Sequence, residues 1–355
     1  MDLTDLLRQA VDRHISDIFI VAGKPLCFKT GTRIEPADGE RLLPDRTRAL
    51  IMQIYQMANG RSAERLETKG DDDFSFSLKG VSRFRVSAYK QRGSLAAVIR
   101  VVALELPDPQ ALHIPANVLA LADIPRGLLL VSGPSGCGKS TTLACMIDRI
   151  NSTRSGHIIT LEDPIEFLHA HKSCIVSQRE IEMDTESYPA ALRAALRQNP
   201  DVILIGELRD TESIAIALTA AETGHLVIST LHTLGAANSI DRLVDAFPPE
   251  QQQQVRMQLS MVLQAVVSQQ LVPTRDGQEW PAFELMLCNG AVRNTIRDGR
   301  THQLDALIFS GAAAGMVSMD NSLLELYRQG RITRAEAELR SLSPEQLVRR
   351  ADELG

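Results

Sequence analysis

The sequence predicts an α/β protein in two parts, and three observations carry that prediction. From about residue 116, continuous apolar runs alternate with helical segments, the pattern of a parallel sheet covered on both faces. Before residue 105, apolar and polar side chains alternate on either side of Gly80, which reads as an antiparallel hairpin in a small α+β domain. Between the two, "ELPDPQALHIP" at 105–115 carries Pro107, Pro109 and Pro115. Proline restricts its own backbone and that of its predecessor, so this stretch reads as a linker. The expected division is therefore 1–104, a linker at 105–115, and 116–355.

The elements follow in order. Leu3, Leu6, Leu7, Ala10 and Val11 fall at helical spacing and predict an amphipathic first helix. "SDIFIVAG" reads as a strand into a glycine turn, and Leu50–Tyr55 as helix. "DFSFSLKG" and "SRFRVSAYK" form the hairpin, and "LAAVIRVVAL" is a further strand. In the second part the strands are "GLLLVSG", "HIITLED", "DVILIGE" and "HLVISTLH". Helices are expected from Lys139, at 188–198 and at 211–223. From about residue 235 the chain reads as mostly helical.

Composition sets the outer bounds. The chain has 38 basic and 44 acidic side chains, a net charge of −6, which argues against a dedicated nucleic-acid binder. Asp2, Asp5 and Arg8 interrupt the first ten residues, leaving no signal-peptide core. No apolar run reaches the roughly 20 residues that span a bilayer, so a cytoplasmic location is expected and any membrane role comes through a partner. Cys27, Cys137, Cys145, Cys174 and Cys288 make no C-x-x-C pair, which argues against structural zinc and fits a reducing compartment.

Four segments carry chemistry. "GPSGCGKS" at 133–140 follows an apolar strand and precedes a helix, the context a phosphate-binding loop requires. Its glycines let backbone N–H groups approach phosphates, and the helix N-terminus adds the positive end of its dipole. Lys139 would reach the β- and γ-phosphates, and Ser140 would hold Mg²⁺. "DVILIGE" ends in Glu207, where a carboxylate near the metal is expected. "TLEDPIEF" at 160–167 gathers Glu162, Asp163 and Glu166 at a strand end, three candidates for polarising an attacking water; a solvated acidic loop is the alternative. "GHLVISTLHT" places His225 and His232 on either side of a strand. No further ligand completes a metal set, so structural roles stand beside hydrogen bonding to a phosphate or a catalytic carboxylate.

In this order and spacing, 133–140, 160–167, 202–207 and 224–233 resemble the Walker A motif, aspartate box, Walker B motif and histidine box of the secretion and type IV pilus traffic ATPases. "NPDVILIGELRDTES" and "TAAETGHLVISTLHT" carry most of that similarity, and "AVRNTIRDG" at 291–299 resembles a C-terminal helix motif of the pilus retraction ATPases. Assembly and type II secretion members usually carry a longer N-terminal region and often a four-cysteine zinc insertion, which also favours the retraction branch. The resemblance implies a RecA-like ATPase domain with a helical C-terminal region, preceded by a PAS-like domain. It implies ATP and Mg²⁺, with Glu166 as catalytic carboxylate, Glu207 beside the metal with Ser140, and Lys139 and His232 in the catalytic set. Nucleotide contacts would come from Gly133, Ser135, Gly136, Cys137, Gly138, Lys139, Ser140, Thr141, Glu162 and His225.

Family members are ring hexamers with ATP between subunits, and Arg83, Arg85 and Arg100 match strands whose arginines reach a neighbour's nucleotide. A guanidinium there would stabilise transition-state charge; for each, a role on the sheet surface is the alternative. The implied partners are an inner-membrane pilus platform protein and a paralogous retraction ATPase, at the inner face of the cytoplasmic membrane. Motion of the two domains about the linker would drive pilus disassembly, and a pilus assembly or type II secretion ATPase is the alternative. A transporter-type ATPase would need an L-S-G-G-Q-like signature, and "QLSMVLQ" at 258–264 lacks the glycines. A nucleotide kinase would need an arginine-rich lid. Cys137 admits two readings, an inert small filler or a thiol made reactive by the helix N-terminus and Lys139.

Overall fold

The computed structural model describes residues 2–31, 33–37, 39–102 and 106–352. It divides into two compact units: Met1–Glu105 with Glu166–Leu168, and Leu106–Ile165 with His169–Gly355.

In the first unit, helix α1 (Leu3–Asp12) buries Leu3, Leu6, Leu7 and Ala10 on one face. Three short strands follow: β1 (Asp17–Ile20), β2 (Cys27–Thr30) and β3 (Arg33–Pro36). Pro44 opens α2 (Pro44–Met57), where a missing N–H is harmless, and Gly70 ends α3 (Glu64–Lys69) in the left-handed region. Strands β4 (Asp71–Leu78), β5 (Ser82–Gln91) and β6 (Ser94–Val102) complete an antiparallel sheet ordered β3-β2-β1-β6-β5-β4. Strand alternation sorts its faces. Phe84, Val86 and Ala88 join Ile99 in the core, while Arg83, Arg85 and Arg100 occupy the alternate positions. The buried Asp72 is matched by a two-point Arg61 pairing at 2.9 and 3.1 Å and by the Tyr55 hydroxyl at 2.9 Å, which offsets its desolvation.

In the second unit the proline-rich stretch is not a loose tether over its described length. Ile114 is buried, Leu112 packs beside it, and Cys145 Sγ donates to Pro107 O. Residues 103–105, which include the first residue of the expected linker, lie outside the described residues. Helix α4 (Ala116–Ala120) leads to β7 (Gly127–Ser132), α5 (Lys139–Thr153), β8 (His157–Glu162), β9 (Ile175–Glu180) and α6 (Tyr188–Ala195). Next come β10 (Val202–Ile205), α7 (Thr211–Glu222), β11 (Leu226–Leu231), α8 (Ala236–Asp245) and α9 (Pro249–Val262).

The mostly helical reading beyond residue 235 needs correction at 263–287, which forms the hairpin of β12 (Leu263–Pro273) and β13 (Glu279–Leu287). Helices α10 (Gly290–Arg297), α11 (Leu304–Ser310), α12 (Met319–Arg328), α13 (Arg334–Arg340) and α14 (Pro344–Asp352) then close the chain's helical end.

The second sheet is ordered β13-β12-β7-β11-β10-β8-β9, parallel from β12 to β9, with β13 antiparallel at one edge. Leu128 and Leu130 of β7 pack with α6 to α9 on one face, while Leu129 and Val131 pack with α5 on the other. Burial on both faces explains why these strands read as unbroken apolar runs. Truncating any of these leucines to alanine typically costs about 2–5 kcal/mol. The parallel arrangement also brings the carboxyl ends of β7, β11, β10 and β8 to one edge of the sheet, where ligands bind in open α/β sheets.

Candidate functional site

The loop after β7 adopts three positive-φ glycines: Gly133 at +144°, Gly136 at +79° and Gly138 at +89°. Gly138 is also the N-cap of α5, and no side chain caps that helix. The donors of its first turn are therefore left for a ligand, at the positive end of the helix dipole. Lys139 is buried, and its Nζ donates to Gly133 O and Pro134 O, both at 2.9 Å. The ammonium is thus held across the loop's mouth by its own carbonyls. Ser140 and Thr141 lie in the first turn and stay partly exposed.

Strand β11 lies between β7 and β10, so the residue at its end can touch both neighbouring loops. That residue is His232. Its Nδ1 lies 3.3 Å from Ser135 Oγ in the phosphate-loop sequence, and its Nε2 lies 3.3 Å from Glu207 Oε2 beyond β10. The Ser135–His232 contact is a hydrogen bond, whereas the approach to Glu207 is an ion-pair distance without hydrogen-bond geometry. Arg209 Nε meets the same Glu207 oxygen at 2.6 Å. His232 thus stands between Ser135 of the phosphate loop and Glu207 beyond β10.

Glu162 ends β8, where its Oε1 accepts from Thr160 Oγ1 at 2.6 Å and from Gln178 Nε2 at 3.3 Å. Glu166 is exposed on the loop that follows. That loop is pinned by the buried Glu180, whose Oε2 accepts from Ile165 N at 3.1 Å. Tyr188 stands among these acids. Burial and then the charges of Asp163, Glu207 and Glu162 push its phenol well above the usual tyrosine range, so it remains a donor at neutral pH.

One expected assignment needs correction, and one open choice narrows. His225 precedes Leu226, which pairs with Gly127 at the start of β7, whereas the phosphate loop follows Ser132 at its end. Five strand steps separate those ends, about 16 Å. His225 Nδ1 instead lies 2.9 Å from Ala220 O and closes the α7–β11 turn. Cys137 is buried, and that burial pushes its thiol up, outweighing the lowering by Lys139 and the helix N-terminus. That direction favours the small-filler reading over the reactive-thiol one. Of the three arginines, Arg100 donates from Nε to Asp17 Oδ1 at 2.9 Å, the sheet-surface role. Arg83 reaches Ser77 Oγ at 3.5 Å, and Arg85 stands opposite Arg100 in the β5–β6 register.

Sequence reading missed the wall beside the loop. Gln269 of β12 is buried, accepts from Thr142 Oγ1 at 2.8 Å and donates to Cys137 O at 2.6 Å. Beyond it lies a cavity of about 360 Å³ whose lining includes Gly138, Thr141, Leu112, Phe283 and Trp280. Its size falls in the range of small-ligand pockets. The signal in the sequence was the polar run Ser268, Gln269 and Gln270 between apolar residues of one strand.

A phosphate-cradling loop at one strand end, with a carboxylate two strands away in a parallel sheet, defines a P-loop nucleotide-binding protein. The chain belongs to the Type II/IV secretion system protein family, whose model matches residues 2–351. It is 42% identical over 345 residues to the type IV pilus retractation ATPase PilT of Pseudomonas aeruginosa, covering 97% of this chain and 99% of that one. It is 41% identical over 339 residues to the type IV pilus ATPase PilU of the same organism, covering 95% and 88%. A crystal structure of the pilus retraction motor PilT with bound ADP superposes with a TM-score of 0.91 at 44% identity, covering 98% and 99%.

Proposed function

We propose that this chain is an ATP-hydrolysing motor subunit that works as a homo-hexamer and powers type IV pilus retraction. The observation that carries this reading is the uncapped phosphate loop with Lys139 held across its mouth, and His232 placed 3.3 Å from both Ser135 Oγ and Glu207 Oε2. The β- and γ-phosphates take the place of the Gly133 and Pro134 carbonyls as partners of Lys139. N–H groups of 136–141 cradle the phosphates, and the ribose and base enter the cavity beside Gly138 and Thr141.

Ser140 and Glu207 offer the hard oxygen donors that suit Mg²⁺, which would neutralise phosphate charge during transfer. Glu166 orients and polarises the attacking water, and His232 senses whether Ser135 and Glu207 are engaged. Arg83 and Arg85 serve a neighbouring subunit's nucleotide, which makes hydrolysis depend on assembly, and Arg100 does so only by exchanging its Asp17 partner for phosphate. Residues 1–104 are read as a PAS-like domain that moves against the ATPase domain. The motion is delivered to an inner-membrane platform protein from the cytoplasmic side, with a paralogous retraction ATPase as a further partner. No helix among the described residues is long and apolar enough to cross a membrane.

Phosphate release by wild type, Lys139→Ala and Glu166→Gln, measured with native mass, tests the reading. Both variants are expected to lose about 10²–10⁴-fold in rate while keeping a six-subunit mass. A fully active monomer would contradict it.

A further inference from the structure

Upstream of α4, His113 lays its imidazole on the indole of Trp280 in β13, with ring centres 3.5 Å apart and planes 5° from parallel. The Arg331 guanidinium carbon lies 4.2 Å from the centre of the same indole. Two groups at those distances cannot share one face, so His113 covers one and Arg331 the other. Both carry backbone hydrogen bonds, and His113 N donates to Gln110 O at 3.0 Å. Arg331 is tied by its backbone, donating to Leu326 O at 3.0 Å and accepting from Arg275 N at 2.9 Å. His113 is exposed, and its φ of +54° lies in the left-handed region, sparsely populated by non-glycine residues. Both rings line the cavity that also touches Gly138 and Thr141 of the phosphate loop and α5.

We infer that a purine base stacks on Trp280 in place of His113, so that nucleotide binding displaces the His113 side chain from the hairpin. This rests on the cavity's being the nucleoside site. A purine presents a larger π-face than an imidazole and gains more from the same indole. Arg331 stays behind the ring as a fixed cation–π partner and holds the platform flat. His113 is thus the side chain that the base displaces. Phosphate alone fills the loop and leaves the stack closed. The base is what opens it.

Trp280 is the single tryptophan of the chain, so its emission reports the exchange directly in the full-length protein. ADP is expected to change that emission, and inorganic tripolyphosphate to bind without changing it. His113→Ala removes the competitor, so ADP affinity should rise about two- to ten-fold with tripolyphosphate affinity unmoved. Trp280→Phe should keep most of the ADP affinity that Trp280→Ala loses. A merely structural His113 would shift both ligands or neither, and that result overturns the exchange. If both ligands bind and produce the same emission change, the exchange is wrong while the nucleotide site stands. If neither ligand binds, the ATPase reading falls and the exchange falls with it.

Discussion

A methyl group on Gly133 would collide with the Gln269 carbonyl oxygen and come 2.7 Å from Cys137 Sγ, on a backbone at φ +144°. Gly133→Ala is therefore expected to abolish nucleotide binding and to destabilise the fold by about 1–3 kcal/mol, read by nucleotide titration and thermal melting. The same contact explains Cys137, whose sulfur fills the space the glycine leaves. Because burial raises that thiol, little thiolate exists at neutral pH, and iodoacetamide should label Cys137 more slowly than an unfolded control at pH 7.5. Fast labelling blocked by ATP would contradict this. The glycine pattern and Lys139 were legible in the sequence because a phosphate loop fixes residue types at fixed spacing. The placing of His232 between Ser135 and Glu207 was not, since it depends on β11 lying between β7 and β10, and strand order is not written in spacing.

At the scale of elements, the second sheet's apolar strands announced themselves and the β12–β13 hairpin did not. Ser268, Gln269 and Gln270 interrupt its apolar run, yet each is buried and bonded: Ser268 to Gly235 N, Gln269 to the phosphate loop, Gln270 to Arg340 O. These polar positions exist to fasten neighbouring loops, a tertiary demand that overrides local periodicity. Glu284 of β13 does the same for two helices. It accepts from Ala236 N at 2.8 Å and Met319 N at 3.3 Å, at the starts of α8 and α12. Burial raises its carboxyl from 4.5 to about 7. A raised folded-state value favours the protonated form, so its stabilising contribution is full below about pH 4.5 and is lost as pH rises through 7. Wild type should therefore lose up to about 3 kcal/mol from this group between pH 4.5 and 8. Glu284→Gln should show a flatter profile in chemical denaturation across that range. An unchanged slope would contradict the assignment.

For the molecule as a whole, the sequence signalled a small α+β part, a proline-rich stretch and a parallel α/β part. The described residues form two compact units, the first of which takes in Glu166–Leu168 as well as the N-terminal part, and the second of which begins at Leu106. Pro107, Pro109 and Pro115 suggested a linker by composition, but Ile114 and Leu112 pack that stretch into the second unit, a contact no local rule reveals. Short strands such as β2 and β3 also escaped reading, because four residues carry too little periodicity to register. The central claim is that ATP turnover at this site drives retraction, and direction of work is a property of the whole assembly. The most direct measurement is the count of surface pili in cells whose only copy of the chain carries Lys139→Ala. Excess, non-retracting pili and lost twitching motility are expected; bald cells would make the chain an assembly motor instead.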